Sequence, residues 1–226
     1  MIEIIPTCVP KDANDLSDGA KRIRSFTTGI HIDVDDGLFA PHLTWPYTDR
    51  GTFARFDLSM VGALNADVHL MVEDPLEIGS AFAREGAKRI MGHVEAFDSV
   101  DEAKVALSLW KQNGAQEAGL GMLWQTSLDD IEPLVAACDV VHIMMIETIG
   151  TQGIPYNPAA PARIAEFHKR FPDAIISVDG GVSEKNIVDL ARAGASRFGV
   201  GSAITKAVDP KSAYEKLLKL AESAVE

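Results

Sequence analysis

Two histidines and two aspartates in this chain stand where apolar runs end. Gly29-Ile-His-Ile-Asp33 carries His31 and Asp33, Ala66-Asp-Val-His69 closes on His69, and Ala174-Ile-Ile-Ser-Val-Asp179 closes on Asp179. Side chains of a strand alternate between faces, so His31 and Asp33 point the same way. If the three runs are strands of one barrel, two imidazoles and two carboxylates converge at its mouth. A mixed set of this kind suits one divalent metal ion, zinc, iron or manganese, rather than calcium, which prefers oxygen alone. It also leaves carboxylates able to move protons.

The elements that would position these residues alternate along the whole chain. Strand-like runs cover Glu3–Cys8, Gly29–Asp33, Ala66–Met71, Arg89–His93, Glu117–Met122, Val140–Met145, Ala174–Val178 and Arg197–Val200. Helix-like segments cover Asp15–Ser25, Asp57–Gly62, Pro75–Glu85, Ser99–Asn113, Leu128–Ala137, Pro158–Phe171, Glu184–Ala193 and Asp209–Ala224. Near-continuous Val, Ile and Met runs predict parallel strands buried on both faces. Eight strand-then-helix units in 226 residues predict an α/β fold, a single (β/α)8 TIM barrel over residues 1–226. Asp74-Pro75 reads as a cap with a first-turn proline, and Pro158 as a second such start. Gly114 and Gly194 fall at expected helix ends. The long connection Gly37–Phe56, rich in Pro, Trp, Tyr and His, is expected to pack over the barrel mouth.

Bulk properties exclude several classes. The formal charge of −12 leaves no basic footprint for nucleic acid and no polybasic membrane patch. No apolar stretch is long enough to span a membrane, and nothing reads as a signal peptide, so a cytoplasmic protein is expected. Cys8 and Cys138 are the only cysteines and read as reduced, packed thiols.

In barrels of this kind active sites lie at the C-terminal strand ends, where all four metal candidates fall. Asp179-Gly180-Gly181 and Gly199-Val-Gly201-Ser202 end the last two strands, where backbone N–H groups often hold a phosphate. His93 and Glu95 repeat the alternate-residue pattern, and either line the pocket, orient a metal ligand or serve structure alone. His142, inside an apolar run, reads as a satisfied core histidine; His42 and His168 carry no spacing signal.

At these residues the chain resembles the ribulose-phosphate 3-epimerase family, nearly end to end. The resemblance is carried by His31-Ile-Asp-Val-Asp-Asp-Gly37, Asp67-Val-His-Leu-Met-Val-Glu-Asp-Pro75, Val178-Asp-Gly-Gly-Val182 and Ala193-Gly-Ala-Ser-Arg-Phe-Gly-Val-Gly-Ser-Ala-Ile204. It implies a metal-dependent epimerase that inverts C3 of a ketose phosphate, ribulose 5-phosphate or a related pentulose or hexulose phosphate, through a cis-enediolate. The metal would sit on His31, Asp33, His69 and Asp179, with Asp33 and Asp179 alternating as base and acid. Gly180, Gly181, Gly201 and Ser202 would lie at the phosphate. Thr7, Met71, Gly150 and Gln152 complete the expected substrate contacts, and a homo-oligomer is expected.

The chain departs from the family pattern in three places. Asp35 stands where the family usually has a methionine of a cap that here keeps Met71 and Met144. The loop Glu147-Thr-Ile-Gly-Thr-Gln-Gly153 replaces a glycine-rich phosphate cradle, leaving Thr148, Thr151 and Gln152 as side-chain donors. Leu123-Trp-Gln-Thr126 replaces Asn-Pro-x-Thr. Two other functions stay open: a sugar-phosphate-binding paralogue without turnover, and a keto-sugar-phosphate decarboxylase or aldolase. The Asp-x-Lys-x-x-Asp motif of the latter is absent at Asp67-Val-His-Leu-Met-Val72.

Overall fold

A computed structural model of the chain describes residues 1–150 and 154–225. Its strands are β1 (Glu3–Cys8), β2 (Gly29–Asp35), β3 (Tyr47–Asp49), β4 (Thr52–Phe53), β5 (Asn65–Met71), β6 (Arg89–His93), β7 (Glu117–Met122), β8 (Val140–Met144), β9 (Ile176–Asp179) and β10 (Arg197–Val200). Its helices are α1 (Ala13–Ile23), α2 (Pro75–Arg84), α3 (Val100–Gln112), α4 (Leu128–Val135), α5 (Ala160–Arg170), α6 (Ile187–Arg192), α7 (Ser202–Thr205) and α8 (Pro210–Glu222). Eight strands close a parallel barrel in the order β1-β10-β9-β8-β7-β6-β5-β2, and β3 and β4 form a separate hairpin. No described helix is long and apolar enough to cross a membrane.

Local chemistry explains why the elements start and stop where they do. Asp74 caps α2 by accepting from Leu76 N at 3.2 Å, with Pro75 in the first turn. Gly114 and Gly194, at φ +124° and +116°, take the left-handed conformation that ends α3 and α6. Pro158 does not open a helix. Asn157 accepts from Ala159 N at 3.0 Å, and Pro161 rather than Pro158 occupies the first turn of α5.

The expected helix over 57–62 is also replaced, by a single 3-10 turn at Ser59–Val61. Too few residues separate Phe56 from the positive-φ Gly62 to repay helix nucleation. Aromatic side chains of the preceding connection fill the gap. Phe56 lies 4.4 Å and Trp45 5.8 Å, centroid to centroid, from Phe82 of α2. Most of these rings thus seal the barrel's outer wall rather than its mouth. Phe39 is the exception, 5.2 Å from the His93 ring.

Ions close the opposite, N-terminal end. Arg89 reaches Glu3 at 2.8 Å, Glu117 at 3.1 Å and Asp67 at 3.3 Å, and Arg197 joins both glutamates. The network fixes Asp67 from below, so its other oxygen faces His31 Nδ1 at 3.6 Å.

Candidate active site

The inner face of the barrel brings the polar residues together through period-two alternation. β2 contributes His31, Asp33 and Asp35 in turn, and the register pairs them with Asp67, His69 and Met71 of β5. β6 adds His93, β8 adds His142 and Met144, and β9 adds Ser177 and Asp179, with His142 opposite Ser177 and Met144 opposite Asp179. Glycines leave them room. A Cβ at Gly199 would stand 3.2 Å from the Asp179 carboxyl carbon, and one at Gly121 would stand 3.3 Å from the His93 ring.

Thr7, Asp33, Met71, Gly150, Asp179, Gly180, Gly181, Gly201 and Ser202, all expected at the site, line one cavity of about 180 Å³. His31 and His69 are buried, 1% and 0% exposed. Gln152, and with it Thr151, lies outside the described residues. Met144 and Asp35, noted in the sequence as part of the altered cap, also line the cavity.

Hydrogen bonding among the histidines tests whether these residues fit a metal. Glu95 Oε2 lies 3.2 Å from His93 Nδ1, and His93 Nε2 lies 2.8 Å from His69 Nε2. A carboxylate only accepts, so it sets the proton on His93 Nδ1 and leaves a lone pair on His93 Nε2. That lone pair in turn requires the His69 proton on Nε2. His69 Nδ1 then faces Asp33 Oδ1, 3.1 Å away, lone pair to lone pair. Two acceptors at that distance repel unless a cation or proton lies between them. Nδ1 of His142 is similarly committed, to Ser177 Oγ at 2.9 Å, while Nε2 of His31 and of His142 has no hydrogen-bond partner among the described residues. One ligand atom from each of His31, His69, His142 and Asp179 lies within 4.8 Å of the others. The chemistry fits one divalent ion.

The geometry revises one expectation and enlarges another. His142 is not a satisfied core histidine, because only one of its nitrogens is paired. The convergent set contains His142 beside His31, His69 and Asp179, whereas Asp33 leans against two of the imidazoles, 3.1 Å from His69 and 3.3 Å from His31. The signal missed in sequence was the alternate spacing of His142 and Met144, which sets both on the inner face.

The electrostatics follow from burial and pairing. Burial holds His69 down at about 4 and His142 well below the usual imidazole range, so both are neutral, the ligating form. Burial opposes charge on His31 too, but the carboxylates of Asp33 and Asp67 overcome it and hold its pKa well above normal. Two acidic groups diverge in the same way. Burial works to raise Asp33, yet the His31 imidazole 3.3 Å away, whose own pKa is raised, pulls it below the usual carboxylate range. Asp179 is pushed up to about 7, first by burial and then by the charge of Asp33. Its Oδ1 accepts from Gly180 N at 2.6 Å.

Around this centre the loops differ in what they offer. Gly180 and Gly181 have φ of +105° and +76°, and a Cβ on either would come within 2.9 Å of Ile146 or Tyr156. Asn186 Nδ2 donates to Gly181 O at 3.0 Å and braces that turn. After β7, Thr126 turns away from the cavity: its hydroxyl donates to Glu95, whose same oxygen accepts from Leu123 N at 2.8 Å. His93 and Glu95 are therefore fastened to the loop after β7.

Comparison with known proteins agrees with the resemblance read from the sequence. The family model described as "Ribulose-phosphate 3 epimerase family" matches residues 3–205. A ribulose-phosphate 3-epimerase of Aquifex aeolicus is 33% identical over 207 residues, covering 90% of this chain and 89% of its own. That of Escherichia coli K12 is 32% identical over 220 residues, covering 95% and 93%. Among solved structures, KGPDC from Streptococcus mutans superposes with a TM-score of 0.72 at 11% identity, covering all of both chains. The 3-hexulose-6-phosphate synthase of Salmonella typhimurium gives 0.70 at 16% identity, covering 99% of this chain and 100% of its own. At those identities the structures speak for the barrel fold alone.

Proposed function

This chain belongs to the ribulose-phosphate 3-epimerase family, a family of isomerases acting on carbohydrates, and from that premise we propose that it inverts C3 of a ketose phosphate. Ribulose 5-phosphate or a related pentulose or hexulose phosphate is the substrate class. The observation that carries the reading is geometric: two carboxylates, Asp33 and Asp179, line one cavity beside the converging imidazoles of His31 and His69. Surroundings that lower Asp33 and raise Asp179 support one as base and the other as acid.

Epimerisation beside a ketone removes a weakly acidic C–H proton and returns one from the opposite face. Asp33, held ionised beside the His31 imidazole, takes the proton from C3; Asp179, carrying one, delivers to the other face. The reverse reaction exchanges the roles. A divalent ion bound by His31, His69, Asp179 and Asp33, with His142 beside them, would draw negative charge from the substrate's oxygens. Its identity is chosen among zinc, iron and manganese by the mixed donor set. The phosphate is assigned to the glycine turns at Gly180-Gly181 and Gly201-Ser202, with Thr7, Met71 and Gly150 on the remaining walls.

Solvent-deuterium exchange at C3, with metal content measured on the same samples, tests this reading. The metal-loaded enzyme should exchange C3 of a ketose phosphate, and Asp33→Asn should abolish exchange. Ser202→Ala should weaken phosphorylated ligands and leave metal content unchanged. Wild-type protein that binds metal and ketose phosphates without exchange at C3 would be a binder, not an epimerase.

A further inference from the structure

The cavity holds one acid that the proposed reaction does not use. Asp35 is 0% exposed and lines the cavity, and neither of its carboxyl oxygens has a hydrogen-bond partner among the described residues. Its partners in packing are apolar, Met71 being its register partner on β5 in one cluster with Ala40, Met144 and Ile146, and the charges near it, Asp33 and Asp36, are of like sign. A buried polar group without a partner is costly. A ligand that fills the cavity would supply the missing partner.

Position narrows what that is. Asp35 stands two residues beyond Asp33 on the same face of β2, about 6.6 Å further along the strand toward the mouth at the usual strand rise. It is absent from the group whose ligand atoms converge. Around the barrel, the gap between β9 and β10 faces β5 and β6 across the axis, and β2 adjoins β5. A ketose phosphate anchored at the turns after β9 and β10, with C3 between Asp33 and Asp179, directs its other end across the axis toward β5, on which the Met71 partner of Asp35 stands. That end is the C1 hydroxymethyl group.

We infer that Asp35 is a specificity-determining residue that accepts a hydrogen bond from the C1 hydroxyl of the ketose. The inference rests on the C3-epimerase reading and adds which end of the substrate is read, and by what. A carboxyl group keeps an acceptor lone pair whether or not it is protonated, so the recognition does not depend on its charge. A ketose phosphate with a methyl group at C1 leaves Asp35 buried and unpartnered, and is disfavoured for that reason.

The experiment compares C3 solvent-deuterium exchange into ribulose 5-phosphate and its 1-deoxy analogue, using metal-loaded wild type, Asp35→Met and Asp35→Asn. Wild type should favour the hydroxylated substrate by roughly 10- to 100-fold in kcat/KM, the span expected for one such hydrogen bond. Asp35→Met should exchange both at similar rates, and Asp35→Asn, which keeps an acceptor, should retain part of the preference. Wild type that treats the two substrates alike overturns the inference, as does an Asp35→Met enzyme with the wild-type ratio. A second metal ion per chain that disappears in Asp35→Asn also overturns it, by making Asp35 a ligand. Asp35→Asn, close to the native side chain in shape, carries the comparison if Asp35→Met does not fold. Equal exchange of both substrates sinks this inference alone, whereas no exchange at C3 of any ketose phosphate sinks the epimerase reading beneath it.

Discussion

Replacing Glu95 by glutamine should weaken metal binding although Glu95 touches no ligand position directly. Glu95 Oε2 faces His93 Nδ1 at 3.2 Å while Oε1 accepts from Leu123 N at 2.8 Å and from the Thr126 hydroxyl. A carboxylate serves both sides as acceptor; an amide cannot. If the glutamine oxygen stays with Leu123 and Thr126, its NH2 group faces His93 and demands a lone pair on Nδ1. The proton then moves to His93 Nε2, which donates across the 2.8 Å contact to His69 Nε2. His69 is left with its proton on Nδ1, the atom turned toward Asp33, and loses the lone pair a metal needs. If the amide turns over, two donors oppose each other at Leu123 instead. Either outcome breaks the arrangement that orients His69 as a ligand, and such losses typically cost 10- to 100-fold in metal affinity, or about 1.4–2.7 kcal/mol. Competitive titration of Zn2+ or Mn2+ against a chelator measures the affinity, and nitrogen-15 spectra of the histidines read the tautomers in the metal-free protein. Unchanged affinity with His93 still protonated on Nδ1 would refute the relay.

Three further outcomes follow from other parts of the molecule. Asp35 is pushed up to about 8 by burial and then by Asp33 and Asp36, so between the ordinary carboxylate range and pH 8 the folded chain binds the extra proton. Its contribution is full at low pH and is lost as pH rises, by at most about 1.4 kcal/mol per pH unit; urea unfolding of metal-free protein should show Asp35→Asn gaining on wild type from pH 5 to pH 8, and a constant difference would contradict this. Cys8 and Cys138 are both raised to about 12, chiefly by burial, which leaves a thiolate fraction on the order of 10⁻⁴ at pH 8; iodoacetamide should label the native protein far more slowly than the denatured one, and equal rates would be the contrary result. A Cβ at Gly119 would lie 2.3 Å from the Val140 carbonyl oxygen of the neighbouring strand, so Gly119→Ala should cost about 1–3 kcal/mol and lower Tm by roughly 2–4 °C per kcal/mol, with an unchanged melting curve as the opposing observation.

Much of this molecule is written in local order. Short apolar runs with capping residues between them marked all eight barrel strands, and β1, β6, β7 and β10 begin and end where those runs do. Alternation alone put His31 and Asp33 on one face and set His69 and Asp179 at strand ends. Local order says which face a side chain takes; it does not say what stands opposite. That depends on strand order and register around a closed barrel. Closure placed His142 opposite Ser177, turned its other nitrogen inward and brought it among the metal candidates. It also joined His93 to His69, which lie on neighbouring strands far apart in the chain. The missing second helix was likewise a tertiary matter, because rings from the connection fill its space against Phe82 better than a six-residue segment could. Asp35 shows the division most clearly. Its charge was visible in the sequence, but only packing against Met71 in the closed barrel could leave both its oxygens buried without a partner.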